Sequence, residues 1–598
     1  MDVKFKWSGR CSSCELLFCR WLYPRTSVIS QYVSYTTKLV ARCVQDDNSD
    51  DDVLEAPMTT DYDVVIGGSG IAGSTTATIL ADSGLDVLLV EAGAHPRFAI
   101  GEGLLPQSSM WMWIVGEYFD IPEIKYLSDA DKVVDNITSS CGVKHSIGFS
   151  YHHEGEVFDG DNSHQLIPPQ LPLYSESHFL RADIDHYLVE TAKEYGVDYV
   201  DETPVDNVEI DTDRVTVTTE DETTTAAFYI DSTGGNSVLA EERGYRVDEP
   251  TLKTDSRAIF AHVEGLKPFD DILDEGDQPG QSNRFHDGTL HHVFDGGWMW
   301  VIPFDNFERS DSTKASIGLV LDREAYPVDE SLSAKAEFFE IVEQFPSIVR
   351  HLEDVDATMP WIRTGRLQRS ATCSSGHRHF LTSNTYGFVD PLYSLGLVNT
   401  FESVFASTNL LLSAFEADDF SAERFERLDD LHQAQLEKVD ATVANAYKAT
   451  GDFQTWNAWA QLALGQMLFE DLYIQRHCFD YLESGERVVF DSLLTERRPG
   501  AEAPFAADAG RMLETASDTL EEYTAGKISA DTAAAVIHGE LRDADWLPKH
   551  IYDWGSEDAR HVDFSEPALV EEFITWGKTE SPDHLREQLF DFQLPKSV

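Results

Sequence analysis

Residues 63–73 read Asp-Val-Val-Ile-Gly-Gly-Ser-Gly-Ile-Ala-Gly, and this stretch decides the fold. Its first five residues have the length of a buried strand, with Val64, Val65 and Ile66 as an apolar run, and three further glycines follow at G-x-G-x-x-G spacing. A stretch of small residues comes next, and a second apolar run over residues 85–90 ends at Glu91. This order of strand, turn, helix and strand predicts a βαβ unit, and therefore an α/β chain with a parallel sheet.

The residues of this turn are typical of a site for a dinucleotide pyrophosphate. Gly68 permits the tight turn, Gly70 lets backbone amides approach the phosphates, and Gly73 lets the helix pack close to the strand. The helix N-terminus adds positive potential. Glu91 follows Gly68 by 23 residues, where a carboxylate can accept hydrogen bonds from ribose hydroxyls. The predicted nucleotide-binding residues are therefore Gly68, Gly70, Ile71, Ala72, Gly73 and Glu91.

The composition is that of a large, strongly acidic globular protein. The 598 residues carry a formal net charge of −61, and 42% of them are hydrophobic, which is enough for two or three lobes. The acidic residues are spread along the chain, as in halophile proteins that stay soluble at high salt. A docking face for a basic partner would need local clustering, and nucleic-acid binding would need a basic patch. The sequence shows neither feature.

Residues 1–57 differ from the rest of the chain. Residues 1–45 hold seven Lys or Arg, only two acidic residues, and four of the seven cysteines. Met58 stands shortly before the first predicted strand, as a translation start would. We therefore expect residues 1–57 to be a non-native or disordered leader. Peptides from residues 1–45 in mass spectra of the purified protein would contradict this expectation.

No targeting or metal-binding pattern is found in the sequence. No apolar run reaches the ~18–20 residues of a membrane-spanning helix, and the first residues lack a signal-peptide pattern. Cys11 and Cys14 have no second cysteine pair with the spacing of a metal site, so we expect no metal. The remaining cysteines are dispersed, which is typical of a reducing compartment. We expect a cytoplasmic protein with no membrane or nucleic-acid partner.

The remaining pattern divides the chain into a discontinuous nucleotide-binding domain, an inserted sheet and a helical region. A helix is predicted from Arg181 to about Tyr195, a hairpin over residues 207–219, and a strand over 228–231. Between residues 246 and 365 the alternation predicts an antiparallel substrate domain with strands over 257–264, 289–294, 298–304 and 315–321. The nucleotide-binding domain then comprises 58–245 and 366–415, and residues 416–598 form a helical C-terminal region.

Several further blocks accompany the glycine motif. Residues 96–106 read Pro-Arg-Phe-Ala-Ile-Gly-Glu-Gly-Leu-Leu-Pro, and residues 231–234 read Asp-Ser-Thr-Gly. Arg181 precedes Asp185 on one predicted helix, and Lys144 stands five residues before Phe149. Residues 298–303 read Trp-Met-Trp-Val-Ile-Pro. Together these blocks resemble the flavin-dependent halogenase family, a relative of the single-component flavin hydroxylases, over about residues 61–415. The W-x-W-x-I-P motif distinguishes halogenases from the hydroxylases.

The resemblance implies FAD, used as FADH2, together with dioxygen and a halide. Lys144 then matches the catalytic lysine, which holds hypohalous acid by hydrogen bonding or as a haloamine. The further cofactor-binding residues implied are Arg97, Gly101, Glu102, Arg181, Asp390, Gly396 and Leu397. The implied substrate or tunnel residues are Trp298, Trp300, Ile302, Pro303 and Tyr393, and the implied halide residues are Ser394, Leu395 and Gly396. No distinct NAD(P)H site is seen, which fits reduction by a separate NAD(P)H-dependent flavin reductase.

Two departures from the family pattern bear on the substrate. Indole-directed halogenases carry a glutamate just before the serine of the halide turn, and Tyr393 stands there in this chain. Leu395 replaces a small residue or proline. The loss of the glutamate favours a substrate that activates itself, such as a phenol or pyrrole, or argues against halogenation altogether. The substrate class implied by the resemblance is an electron-rich aromatic compound of the phenol, pyrrole or indole type. The alternative is an FAD-dependent monooxygenase or reductase of the same fold, in which Lys144 is only structural.

Overall fold

The computed structural model describes residues 60–169, 174–501 and 504–593. The predicted leader, residues 1–57, lies outside these ranges. The strands are β1 (Tyr62–Gly67), β2 (Val87–Val90), β3 (Gly142–Val143), β4 (Ile147–Tyr151), β5 (Ser163–Ile167), β6 (Ser177–His178), β7 (Asp198–Val200), β8 (Val205–Ile210), β9 (Val215–Thr219), β10 (Thr223–Asp231), β11 (Ser256–Glu264), β12 (Thr289–Phe294), β13 (Gly297–Pro303), β14 (Lys314–Asp322), β15 (Asp356–Ala357), β16 (Ile362–Arg363), β17 (Ser375–Gly376), β18 (His379–Leu381) and β19 (His561–Asp563).

Helices cover both faces of the first sheet and make up most of the C-terminal region. They are α1 (Ile71–Asp82), α2 (Pro106–Phe119), α3 (Pro122–Tyr126), α4 (Ala130–Asn136), α5 (Arg181–Glu194), α6 (Val238–Glu242), α7 (Phe269–Ile272), α8 (Ala334–Val342), α9 (Pro346–His351), α10 (Ser383–Tyr386), α11 (Leu395–Ala417), α12 (Glu426–Ala449), α13 (Phe453–Ser484), α14 (Pro504–Thr524), α15 (Ala530–Asp543), α16 (Pro567–Thr579) and α17 (Asp583–Leu585).

The first sheet contains the predicted parallel strands and is mixed, because β8, β9 and β17 join it in antiparallel pairs. Its order is β17-β18-β10-β1-β2-β7, and the hairpin β8–β9 joins it beside β10. β1 pairs in parallel with both β2 and β10, and α1 connects β1 to β2. The three residues Val64, Val65 and Ile66 are fully buried, because helices cover a parallel sheet on both faces. The predicted βαβ unit is therefore confirmed.

The glycines of the turn occupy the positions that their spacing predicts. Gly68 has φ +94°, a left-handed conformation that favours glycine. A Cβ on Gly73 would clash with the carbonyl oxygen of Gly68, so this glycine sets the close approach of α1 to the turn. A Cβ on Gly70 would meet nothing within 4 Å, which leaves its backbone open to a ligand.

The second sheet contains the four long strands predicted between residues 246 and 365. Its order is β15-β11-β14-β13-β12-β4-β5-β19, and β16 pairs with β11. The strands β11 to β14 are antiparallel as predicted, but β4 pairs with β12, and β5 with β19, in parallel. The sheet is therefore mixed. It also takes three strands from outside residues 246–365, because β4, β5 and β19 extend it beyond β12.

The region after residue 401 is mostly helical, as predicted, with β19 as an exception. Trp456, Trp459 and Phe469 on α13 are buried in the main hydrophobic cluster, which agrees with their helical spacing. Among the described residues, no helix is both long and apolar enough to cross a bilayer. Within the same ranges, no cluster of three or more His, Cys, Asp or Glu has the arrangement of a metal site.

Candidate active site

A cleft of about 490 Å³ lies at the carboxyl ends of β1 and β2, beside the N-terminus of α1. Ligands of open parallel sheets bind at this edge, where the helix N-terminus offers free backbone N–H groups. The predicted residues that line the cleft are Gly68, Gly70, Ile71, Ala72, Glu91, Arg97, Arg181 and Leu397. Gly73 lies behind the turn and does not line the cleft. The cleft therefore brings together residues from the two separate parts of the predicted nucleotide-binding domain.

Glu91 is held as a buried carboxylate at the end of β2. Its Oε2 accepts hydrogen bonds from Ser69 N and Oγ, at 2.9 and 2.8 Å, and from Arg97 at 3.0 Å. Its Oε1 accepts from Gly93 N at 2.9 Å. Burial acts to raise the pKa of Glu91, but the backbone hydrogen bonds and Arg97 outweigh it and lower the pKa to about 2. Glu91 is therefore ionised, and Oε1 has capacity for a ribose hydroxyl.

Arg181 lies between this cleft and a second cavity. Its Nε and Nη2 bind the two oxygens of Asp185 at 2.8 and 3.0 Å. Its Nη1 donates to the carbonyl oxygens of Ile100 and Gly101, at 2.5 and 3.2 Å. A bidentate ion pair fixes the guanidinium more firmly than one hydrogen bond would. Arg181 therefore ties the segment around Gly101 to α5.

The second cavity has a volume of about 320 Å³ and is mostly apolar. Trp298, Trp300 and Ile302 of β13 line it, because alternate residues of a strand point to the same face. The Trp298 and Trp300 rings lie 6.0 Å apart. The cavity shares Arg181 and Leu397 with the nucleotide cleft, so the two spaces are contiguous.

The segment predicted to lie beside the cofactor forms one wall of the second cavity. Gly101 and Glu102 both line it. Glu102 is buried, and its Oε1 lies 2.5 Å from His262 Nε2. Its Oε2 has no hydrogen-bond partner among the described residues. This oxygen is a candidate acceptor for an N–H group of a bound ligand, because buried polar atoms are rarely left unsatisfied.

The predicted halide residues, Ser394 to Gly396, begin the 23-residue helix α11, with Ser394 as its N-cap. Tyr393 and Ser394 have φ values of +67° and +56°, which are rare for residues other than glycine. Ser394, Gly396 and Leu397, at the start of α11, line the second cavity. Helix N-termini and such left-handed turns are typical anion sites.

Lys144 reaches this turn from the end of β3. Its side chain is 3% exposed, and its Nζ donates to Ser394 Oγ at 3.3 Å. Burial lowers the pKa of Lys144 to about 7, against a smaller opposing effect of the Glu176 carboxylate. A lysine with a pKa near 7 has a substantial neutral fraction at neutral pH, and its amine is then a nucleophile.

Gly103, Thr289 and two histidines complete the surroundings of this amine. A Cβ on Gly103 would lie 3.3 Å from Ser394 Oγ and 3.7 Å from Lys144 Nζ. Thr289 Oγ1 lies 2.9 Å from His178 Nε2, whose Nδ1 bonds to a backbone carbonyl. His291 stacks on Phe149, with ring centroids 4.8 Å apart. Burial lowers the pKa of both histidines to about 3, so both are neutral.

Some predicted residues do not line either large cavity. Asp390 turns its carboxylate to Ser256 and Tyr447, at 2.5 and 3.2 Å, and burial raises its pKa to about 6. Pro303 points to the opposite face of β13 from the tryptophans, and its carbonyl binds His178. Tyr393 is fully buried and accepts a hydrogen bond from Trp459. Leu395 is buried beneath its turn.

Five residues near the Lys144 amine were not predicted from the sequence: Gly103, Glu176, His178, Thr289 and His291. Gly103 stands inside the quoted stretch 96–106 and could have been found there. Neither His178 nor Glu176 lies in a sequence motif. Both reach the site through the pairing of β3 with β6, and each of these strands is only two residues long. Such short strands give no periodic signal.

Comparison with protein-family models assigns residues 166–491, more than half of the chain, to the family described as tryptophan halogenase. Residues 66–103 match the NAD(P)-binding Rossmann-like domain. The monodechloroaminopyrrolnitrin halogenase PrnC of Pseudomonas fluorescens is 35% identical over 541 residues, covering 89% of this chain and 94% of that protein. The tetracycline 7-halogenase of Kitasatospora aureofaciens is 32% identical over 537 residues, covering 88% and 95%.

The crystal structure of halogenase PltM in complex with phloroglucinol and FAD matches with a TM-score of 0.79 at 29% identity, covering 84% of this chain and 99% of that chain. Fold and site thus define an FAD-dependent oxidoreductase. Within that class, the chain belongs to the flavin-dependent halogenase family.

Enzymes of this family use FADH2, halide and dioxygen. The residues of this chain fit FAD on three observations. The open backbone at Gly70 and the free N-terminus of α1 suit a pyrophosphate, and Glu91 has capacity for a ribose hydroxyl. The contiguous apolar cavity suits a flat ring system, with Glu102 Oε2 as an acceptor at its wall.

Proposed function

We propose that this enzyme halogenates an electron-rich aromatic compound and that Lys144 directs the halogen to the substrate. One observation carries the proposal: a buried amine lies 3.3 Å from Ser394 Oγ, at the edge of a tryptophan-lined cavity. The overall reaction balances as ArH + X⁻ + O₂ + FADH2 + H⁺ giving ArX + FAD + 2 H₂O. Bound FAD supplies the two electrons, and a separate NAD(P)H-dependent reductase supplies it in the reduced form.

The turn at residues 394–396 would hold the halide. Its support is the pair of left-handed residues before α11 and the exposed backbone at Gly396, where a Cβ would meet nothing within 4 Å. Trp298 and Trp300 would keep the aromatic substrate away from the cavity, so that only a small oxidised halogen species, hypohalous acid, reaches Lys144. The buried position of the amine, which is 3% exposed, would limit competition from water.

Lys144 can handle hypohalous acid in two ways. As an ammonium it donates a hydrogen bond and orients the acid towards the ring. As a neutral amine its lone pair attacks the halogen, an N–X bond forms as the O–X bond breaks, and hydroxide leaves with an amine proton as water. Both routes require the buried position of Lys144, and neither suits a lysine with a purely structural role.

A phenol or pyrrole is the substrate class we propose. Tyr393 stands where indole-directed enzymes have a glutamate, and its hydroxyl is engaged by Trp459 at 3.2 Å. The names of the similar proteins support this class, since one acts on an aminopyrrolnitrin and another on tetracycline, and the PltM structure holds phloroglucinol. Such rings are activated by their own oxygen or nitrogen.

The test supplies purified protein with FAD, a flavin reductase, NADH and bromide, together with a panel of phenols and pyrroles. We expect brominated product, and we expect Lys144→Met to lower its rate at least about 100-fold, because a positioned catalytic group commonly contributes this much. The exposed Lys193→Met serves as the control and should keep full activity. Oxygenated product formed independently of halide would contradict halogenation and would support a monooxygenase instead.

A further inference from the structure

Glu176 lies directly opposite Lys144 in the fold. β3 and β6 pair antiparallel with Gly142 opposite His178 and Val143 opposite Ser177. The next position in this register pairs Lys144 with Glu176, and the backbone confirms it, because Lys144 N donates to Glu176 O at 2.9 Å. Directly opposed residues of an antiparallel pair point to the same side, with Cβ atoms about 4.5–5.5 Å apart. The two side chains therefore share one environment.

One oxygen of the buried Glu176 carboxyl group lacks a hydrogen-bond partner among the described residues. The Glu176 side chain is 3% exposed. Its Oε1 has no hydrogen-bond partner, and no cation in the described part of the chain forms an ion pair with it. Buried polar atoms without a partner are rare in folded proteins, so the unpaired Glu176 Oε1 calls for a functional explanation.

Burial shifts the pKa values of several titratable groups near this pair towards their neutral forms. His178 on β6 and His291 on β12 have pKa values of about 3 as a result of burial. Burial also raises the pKa of Tyr174 and of Asp471 on α13 well above their ordinary values. The pKa values of Lys144 and Glu176 both come to about 7, because burial lowers the pKa of the lysine and raises the pKa of the glutamate.

We propose that Glu176 is a positioning residue that sets the charge of Lys144 during halogenation. Its carboxylate stabilises the ammonium form of Lys144, and its protonated form releases Lys144 as a free amine. The proposal rests on the halogenation proposed above. Glu176 belongs to no sequence motif. The pH dependence of the reaction would then be set by Lys144 and Glu176 together.

The experiment compares Glu176→Gln with wild type in two measurements on the FAD-loaded protein. Glutamine has the size of glutamate but no charge, so the Lys144 ammonium loses its counter-charge. The limb of the kcat–pH profile that belongs to Lys144 should therefore move to lower pH by about 1 unit or more. The second measurement needs no turnover: the ¹³Cε shift of Lys144, assigned with Lys144→Met, should titrate at a pH lower by the same amount.

Two further variants control for structural effects. Glu402→Gln removes another buried glutamate. Burial raises the pKa of Glu402 to about 7 as well, but its carboxylate accepts a hydrogen bond from Gln435. It should leave both titrations of Lys144 unchanged. Glu176→Asp keeps the charge and should restore the wild-type limb. An unchanged Lys144 titration in Glu176→Gln would overturn the role of Glu176, whereas a wild-type enzyme without brominated product would overturn the proposed function alone.

Discussion

Gly103 is the residue that keeps the tryptophan-lined cavity open towards Lys144. It lines that cavity, and a Cβ there would lie 3.7 Å from Lys144 Nζ and 3.5 Å from Thr289 Oγ1. A larger side chain at this position would fill the space that hypohalous acid would cross in the proposed mechanism. The absence of a side chain is therefore a functional property of this position, although its φ does not require glycine.

We predict that Gly103→Val separates halide oxidation from halogenation. Product formation should fall at least about 10-fold, because small misplacements at a reacting centre have effects of this order or larger. Hypohalous acid, trapped with monochlorodimedone, should still form at the wild-type rate. Gly276→Val is the control, since a Cβ at Gly276 meets nothing within 4 Å. Equal loss of both activities would show that Gly103 is needed for folding or flavin binding instead.

At the scale of single residues, site residues that belong to local motifs can be predicted from the sequence. Site residues that strand pairing brings together cannot. Gly68, Glu91 and Arg181 line the cleft as predicted, because each belongs to a local motif whose geometry is fixed within a few residues. Glu176 could not be predicted, because its place beside Lys144 depends on the register of two strands that are 34 residues apart in sequence. Asp390 was predicted at the cofactor, but its carboxylate is engaged by Ser256 and Tyr447.

Among the secondary-structure elements, β13 separates the cavity from the core of the second sheet. Trp298, Trp300 and Ile302 face the cavity, while Met299 and Val301 are buried in a separate hydrophobic cluster. This alternation could be read from the sequence, since the period of a strand is two residues. The parallel pairing of β4 with β12 could not be read, because it depends on a connection between distant segments.

The position of the Trp300 ring depends on the neighbouring strand β14. Gly318 is paired with Trp300, and a Cβ on Gly318 would overlap the indole. We predict that Gly318→Ala lowers the thermal midpoint, with a cost of about 1–3 kcal/mol typical of overpacking. Calorimetry of the apo and FAD-loaded forms measures this thermal midpoint.

A double-mutant cycle identifies the cause of this effect. Gly318→Ala should cost less in a Trp300→Leu background, because leucine leaves room for the added methyl group. Gly276→Ala, at a position open to solvent, should leave the midpoint unchanged. An equal cost in both backgrounds would place the strain outside the Gly318–Trp300 contact.

For the whole molecule, charge is the dominant property. The net charge of −61 is distributed over the chain, and the compact state must hold these like charges close together. Salt screens them, since the Debye length falls from about 30 Å at 0.01 M to about 3 Å at 1 M. The composition thus predicts a protein that is more stable in concentrated salt.

We therefore expect the thermal midpoint to rise as KCl increases from about 0.01 M to about 1 M, with most of the rise at the low end, where screening changes fastest. Sucrose is the control, because it stabilises proteins through exclusion from the surface without screening charges. A midpoint that is constant or falls with KCl while it rises with sucrose would argue against the salt-adapted surface.

The strand β19 has a consequence for biosynthesis. It pairs with β5 and completes the edge of the second sheet, and 398 residues separate Ser163 from His561. A ribosome makes the chain from its N-terminus, so β4 and β5 exist long before their last neighbour. An open strand edge is a template for pairing with other chains. Until β19 emerges, the nascent polypeptide carries this edge uncovered, and chaperones that shield β-edges would act at this stage of translation.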